Sequence, residues 1–332
     1  MSDTWKIERT AEWRSNDILF SVAHQPESTK LYVGSSDFKV FVWDTAEEKP
    51  QRQIFAGEGH QSYVTGMTLA GGRLVTGSYD QQLIWWDLAE QKEVRRQQAH
   101  DRWIRRVIST PDGERVISVG DDMQCKVWSS ETGELLAQFS DHPEQTPHHY
   151  PSMLYAVAVS SDGKLIATGD RVGHVAIWSA ETFEKVGEVE APVFYTWDPK
   201  ARRHSIGGIR SLAFSPDGQQ IAVGGIGKIG NIDHLDAPSR LEIFDWKTSE
   251  RRHEIEEKEK KGLVEQIIYH PDGKRLLTFG GDHKGFINLF DTEKGTLLAK
   301  TAAAAHPPPS STHPIQTCPH RRPQHDRTLA TL

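Results

Sequence analysis

Four groups of residues in this chain have types and spacings suited to chemistry. Gly225-Ile226-Gly227-Lys228-Ile229-Gly230 matches G-x-G-x-x-G, which cradles a dinucleotide pyrophosphate when it opens a helix. The segment that follows, Asn231 to Ser239, contains Asp-His-Leu-Asp-Ala-Pro and runs into a strand pattern, so an insertion between strands is the preferred reading. His306, His313, Cys318, His320 and His325 carry metal-ligating atoms, and His142, His148 and His149 form a second loose group. Neither group has the paired spacing of a structural zinc site, so no metal is assigned. Arg102-Trp103-Ile104-Arg105-Arg106 mixes cations with an aromatic ring, which suits stacking on a base or clamping an acidic partner. Ile104 aligns with Val64 and Ile209 as a core residue, and strand alternation then sends Trp103 and Arg105 together to the opposite side. No nucleophile elbow or pair of strand-end carboxylates is present, so neither a catalytic residue nor a cofactor is expected.

The elements that position these residues follow from composition and repetition. The chain has 332 residues and a formal net charge of −7. That balance argues against nucleic acid as the partner, because a phosphate-tracking surface shows as a basic excess. No apolar run approaches a membrane span. Two cysteines, Cys125 and Cys318, are too few for a disulfide framework. The start, Met-Ser-Asp-Thr-Trp-Lys, lacks the pattern of an export signal, so a cytoplasmic protein is expected. Ten tryptophans are an excess that asks for a repeated use.

That use is an internal repeat. Gly77-Ser78-Tyr79-Asp80 leads through Leu83-Ile84-Trp85 to Trp86-Asp87, and Gly34-Ser35-Ser36-Asp37 leads likewise to Trp43-Asp44. Further copies end at Trp128, Trp178, Phe244-Asp245 and Phe290-Asp291. Upstream turns recur as Pro111-Asp112-Gly113, Ser161-Asp162-Gly163, Pro216-Asp217-Gly218 and Pro271-Asp272-Gly273. Strands of about five residues between Gly, Asp and Pro turns are an all-β signature. The charged run Glu254 to Lys261 reads as a solvated strand end and loop.

Across about residues 5–303 the chain resembles the WD-repeat β-propellers, with four strands per blade and six recognisable blades. The copies fall at about 14–56, 57–98, 99–140, 141–190, 191–256 and 257–303. The resemblance implies a buried tetrad of His, Ser or Thr, Asp and Trp in each complete copy. His60, Thr76, Asp80 and Trp86 fill it in copy two, and His100, Ser118, Asp122 and Trp128 in copy three. Copy one has Val33 at the hydroxyl position. Copy four has Val172 where the Asp is expected, and copies five and six end in Phe. Copy six retains Thr278 and Asp282. Packing is therefore expected to hold the other blades, with blades two and three the stiffest.

In this family the first strand commonly completes the last blade, and residues 4–13 suit such a clasp. After Leu297 to Ala303, Ala305-His306 matches Ala99-His100 ahead of copy three and announces a seventh repeat. The pattern then stops, and six of the seventeen prolines fall in 304–332. A disordered tail beyond a six-bladed ring, a degenerate seventh blade, and a frame disruption near Ala305 are the three readings of that segment.

Every long insertion falls in loops that the family places on the top face. Residues at the family's top-face offsets are Tyr63, Thr65, Tyr79, Trp103, Arg105, Asp121, Met153, Tyr155, Arg210, Leu263 and Glu265, and the insertion before blade five adds Phe194, Tyr195 and Trp197. Trp197-Asp198 reads as a loop rather than a repeat ending. Aromatic residues and Arg dominate interface hot spots. The resemblance therefore implies a non-enzymatic scaffold that binds a protein or peptide there. A propeller hydrolase with a metal in the central channel is the alternative.

Overall fold

The computed structural model describes residues 5–9, 11–13, 15–25, 27–198, 204–230, 237–281, 285–303, 316–317 and 330–331. Six four-stranded antiparallel sheets follow one another along the chain as six propeller blades about a central axis. Blade two shows the pattern: Val64–Ala70, Arg73–Ser78, Gln82–Asp87 and Lys92–Gln98, each strand pairing with the next. Burial falls from the inner strands to the mostly half-exposed fourth, as expected for a sheet whose outer edge meets water. The sheets pack face to face, so the residues of alternate parity in one blade meet those of the next. Tyr32, Val40 and Val42 of blade one thus meet Leu74, Ile84 and Trp86 of blade two, and Val75, Leu83 and Trp85 of blade two meet Ile104, Val107 and Trp128 of blade three.

Local chemistry sets the turns. In Pro111-Asp112-Gly113 the glycine takes φ +72°, and the same position is left-handed in Gly163, Gly218 and Gly273, where a side chain would be strained. Asp112 Oδ1 accepts from Thr110 Oγ1 at 2.5 Å and from the Glu114 amide at 2.9 Å, closing the loop on itself. Gly66 answers a different need. A Cβ there would lie 2.6 Å from the Val107 backbone nitrogen, because the innermost strands of blades two and three touch.

One irregularity bears on function. The register between the first and second strands slips at the residues between Leu19 and Ser21, Val64 and Gly66, and Val264 and Gln266, and likewise around Arg105 and Tyr155. The bulged residues are Phe20, Thr65, Arg105, Tyr155 and Glu265. A bulge re-aims the side chain it carries. Four of the five are positions expected at the top face.

The segment expected as a clasp is not a strand among its described residues. It nevertheless lies on blade six, where Ile7 packs with Leu277, Phe279 and Ile287 and Arg275 stands over the Trp5 ring at 4.4 Å. The run from Glu254 is also more regular than expected, as it belongs to one twelve-residue strand, Glu250–Lys261. Trp197-Asp198 is not a loop: Tyr195–Asp198 pairs with His204–Gly207 as a hairpin. Gly225 and Ile226 end a strand, Gln220–Ile226, and no helix opens among the described residues of the glycine motif. Of 304–332, Gln316–Thr317 pairs with Ala330–Thr331, and the rest of that segment, with Asp282, lies outside the described residues. No closed seventh blade is present among the described residues.

Candidate functional site

The blade interiors hold the hydrogen-bond chains that fix the loops. In blade two, His60 Nδ1 lies 2.9 Å from Asp80 Oδ2, His60 Nε2 lies 2.8 Å from Thr76 Oγ1, and Trp86 Nε1 donates to the same hydroxyl at 2.8 Å. Blade three repeats this with His100, Asp122, Ser118 and Trp128 at 2.7 to 2.9 Å. A hydroxyl can accept and donate, an indole only donates and a carboxylate only accepts, so the chain closes with no orphan.

Blade four departs from the expectation of packing alone. His142 Nε2 lies 2.8 Å from Thr168 Oγ1, Trp178 Nε1 donates to it at 3.1 Å, and His142 Nδ1 meets Asp170 Oδ2 at 3.1 Å. The carboxylate comes from the end of the second strand, two residues before Val172. Its other oxygen receives the amides of Val172, Gly173 and His174, so one aspartate both caps the turn and holds the histidine. His142 is thereby separated from His148 and His149, with which the sequence grouped it. Blade five replaces the tetrad by ions. Glu242, fully buried, accepts from Arg240 Nε at 2.6 Å, and Arg240 Nη1 reaches Glu256 at 2.7 Å. Among its described residues blade six has neither device: Thr278 Oγ1 and both amide atoms of Asn288 are buried without hydrogen-bond partners.

Acid should act through these tetrads. Burial alone would raise the Asp80 and Asp122 carboxyls, but the hydrogen bonds and charge of His60 and His100, with backbone donors, outweigh it and hold both below the ordinary value. A depressed carboxyl contributes stability above its unfolded value and loses it as pH falls through the folded one. Denaturation midpoints are therefore expected to fall steeply below about pH 4, where Asp carboxyls titrate, and Asp80→Asn should make that fall shallower. Equal acid sensitivity in both proteins would contradict this role.

Above the tetrads, eight of the expected face residues form one contiguous cluster. Tyr79 and Trp103 stack with ring centres 4.3 Å apart and planes 7° from parallel, and Tyr63 lies 5.8 Å from Tyr79. Phe20 and Phe38, which sequence offsets did not supply, extend the row beyond Tyr63. Arg105 sits beneath: Nε and Nη2 form a two-point pair with Asp121 at 2.6 and 2.7 Å, Nη1 donates to the Tyr79 hydroxyl at 2.6 Å, and the Tyr79, Trp103 and Tyr155 rings all lie within about 5 Å. Burial works against the Arg105 charge, but Asp121 outweighs it and raises the guanidinium above its usual value. The Met153 thioether sulfur, Sδ, faces both Arg105 and the Tyr155 hydroxyl. Arg210 stacks over Tyr155 at 3.7 Å.

The outer members of this cluster face solvent. Tyr63 is 40% exposed and Trp103 47%. A second patch joins the insertions ahead of blades four and five, where His148 stacks on Trp197 at 4.1 Å and lies 2.8 Å from the Tyr195 hydroxyl. Three residues expected on the face lie outside this cluster, with their side chains turned into the core or onto backbone. Phe194 fills the core between blades four and five, Leu263 packs on Ile226 and Ile229, and Thr65 donates to the Ile104 carbonyl at 2.6 Å. Their apolar or small side chains carry no pattern that separates a loop anchor from a core plug. Glu265 turns inward, where Arg106 spans the channel to its carbonyl oxygen at 3.0 Å and its carboxylate at 3.4 Å. The channel encloses about 750 Å³.

One group with metal-ligand chemistry exists among the described residues, Asp141, His174 and Glu188, with atoms within 4.8 Å of one another. It lies at the outer side of blade four, away from the channel lining, and the Lys185 ammonium already contacts Asp141 at 2.5 Å and Glu188 at 2.7 Å. A cation of the protein thus occupies the place where its charges converge.

Comparison with known proteins agrees with this geometry. The model of the WD domain, G-beta repeat, matches residues 8–44, 50–87, 91–129 and 199–228, the first three of which end just after Trp43, Trp86 and Trp128. The chain carries WD repeats folded as a β-propeller. Among curated relatives, the WD-repeat chain is 25% identical over 210 residues to eukaryotic translation initiation factor 3 subunit I of Candida albicans, covering 62% of this chain and 53% of that protein. It is 32% identical over 152 residues to protein hir-1 of Neurospora crassa, covering 40% and 13%, and 28% identical over 199 residues to nuclear distribution protein PAC1 of Arthroderma otae, covering 53% and 43%. The propeller thus spans about half the length of the first of these and less of the others. No helix among the described residues is long and apolar enough to cross a membrane.

Proposed function

We propose that this propeller is a non-enzymatic scaffold that docks a protein or peptide on the face carrying Tyr63, Tyr79 and Trp103. The observation that supports this reading most is the exposed aromatic row held rigid from beneath by Arg105 and Asp121. Rigid aromatic anchors lose little side-chain entropy on binding and bury much apolar area, which is what a hot spot requires. The hairpin patch of His148, Tyr195 and Trp197 supplies a second contact that selects among partners. The relatives differ widely in what their names describe, from a translation factor subunit to a nuclear distribution protein, so a shared propeller with partner choice set by its loops fits them.

Trp103→Ala and Tyr63→Ala are each expected to weaken capture of the native partner by at least about 1–2 kcal/mol while leaving the denaturant midpoint unchanged. Quantitative pull-down from the native cell followed by titration of the captured protein reads this out. Unchanged capture by both variants would remove the assignment.

A further inference from the structure

The mouth of the central channel carries an unbalanced charge. Arg105, Arg106 and Arg210 gather there, with Arg105 reaching the Met153 sulfur, while the carboxylates paired with them among the described residues are Asp121 and Glu265. Asp121 is committed to Arg105 at two points, and Glu265 to Arg106. Among the described residues the Arg210 guanidinium meets the Tyr155 ring, the same ring that Arg105 approaches, and its buried Nε has no hydrogen-bond partner. No carboxylate lies within ion-pair distance of Arg210 among the described residues. Burial lowers the pKa of Arg106, and the nearby charge of Arg210 lowers it further against the opposing pull of Glu265. A chain of net charge −7 thus concentrates positive charge where its face aromatics meet the channel.

A guanidinium held over a ring, with its Nε buried and unpaired and no carboxylate partner among the described residues, is completed best by an anion that accepts hydrogen bonds from its Nη groups. We propose that the channel mouth binds the carboxylate side chain of an acidic peptide, with Arg210 as its cation and the Tyr79 and Trp103 rings holding the residues beside it. This rests on the reading of the face as a docking surface and adds the chemistry of what docks. Arg105 is not the receptor, since Asp121 already saturates its fork.

The test uses the full chain and a fluorescein-labelled decapeptide with four central glutamates, against its glutamine counterpart, by fluorescence anisotropy at 0.15 M salt. The glutamate peptide is expected to bind about tenfold tighter than the glutamine peptide, and Arg210→Gln to remove most of that difference with unchanged thermal unfolding, because truncating one partner of a desolvated charge pair costs at least that much. Arg210→Lys should retain part of it. Equal affinity for the two peptides, or an Arg210→Gln protein that keeps the preference, overturns the inference. A phosphoserine version binding more than about tenfold tighter than the glutamate peptide overturns the carboxylate assignment, since phosphate would then be the better fit to an Arg fork. The two readings separate through Trp103→Ala. If that variant loses the native partner while no glutamate preference exists, the face stands and the carboxylate falls. If it leaves glutamate binding intact while Arg210→Gln abolishes it, the anion site stands without the face.

Discussion

Arg240→Met is expected to destabilise the propeller by about 3 kcal/mol, read as a lower denaturant midpoint at unchanged slope. The cost arises from Glu242, whose side chain is fully buried between blades four and five and whose nearest cation is Arg240. After the substitution one contact remains, Arg251 at 3.2 Å, and that side chain is nearly half exposed and screened by water. An under-compensated buried carboxylate is the costly product of breaking such a pair. Arg240→Met combined with Glu242→Leu removes both charges and is expected to recover most of the loss, because matched apolar side chains replace buried ion pairs at little net cost. A double variant as unstable as the single one would show that the network contributes stability as a pair. Unchanged stability in the single variant would show that Glu242 needs no cation there.

Thr76→Val and Thr278→Val are chemically one substitution with opposite expected results. Thr76 Oγ1 joins His60 and Trp86, so valine orphans two buried polar groups of roughly 1–3 kcal/mol each, and a loss of about 3 kcal/mol is expected. Thr278 Oγ1 has no partner, and its blade offers Phe290 where blade two offers Trp86. Valine there deletes an unsatisfied hydroxyl at equal volume, so stability should be unchanged or higher by up to about 1 kcal/mol. Urea titrations of both variants beside the parent check the pair. Equal losses would mean that packing, rather than the tetrad, sets the value of the position.

What was readable in the sequence follows this same division. Trp86, Asp80, Thr76 and His60 recur at fixed spacings, because a closed hydrogen-bond chain demands particular donors and acceptors, and six blades could be counted from those markers. Blade four hid its tetrad, since Asp170 reaches His142 from a strand end instead of from the turn. Spacing alone did not reveal that two positions on the backbone deliver a carboxylate to one point. Blade five hid its ions for a related reason: Arg240 and Glu242 alternate along a strand as a solvated face would, yet the neighbouring blade buries them. Periodicity reports which side a residue faces and is silent on what covers that side.

The top-face residues divide similarly. Tyr63, Tyr79, Trp103, Arg105, Asp121, Met153, Tyr155 and Arg210 could be aligned by offset, and bulges at Arg105 and Tyr155 are the physical reason those offsets converge. Phe194 and Leu263 occupy comparable places in the chain but close the core, because long neighbouring insertions cover them. Arg106 and Arg171 were missed as members of the mouth, the first because alternation places it on the core side with Ile104 and the second because it stands after the displaced Asp170.

Site-specific photocrosslinking tests the central claim most directly. A photoreactive residue placed at exposed Arg102, beside Trp103, and another at exposed Thr132, in a turn between the third and fourth strands of blade three, sample the two faces of one blade. A partner that crosslinks from position 102 and not from 132 is the predicted result. Crosslinking from 132 with none from 102 would contradict it and move the docking surface to the opposite face.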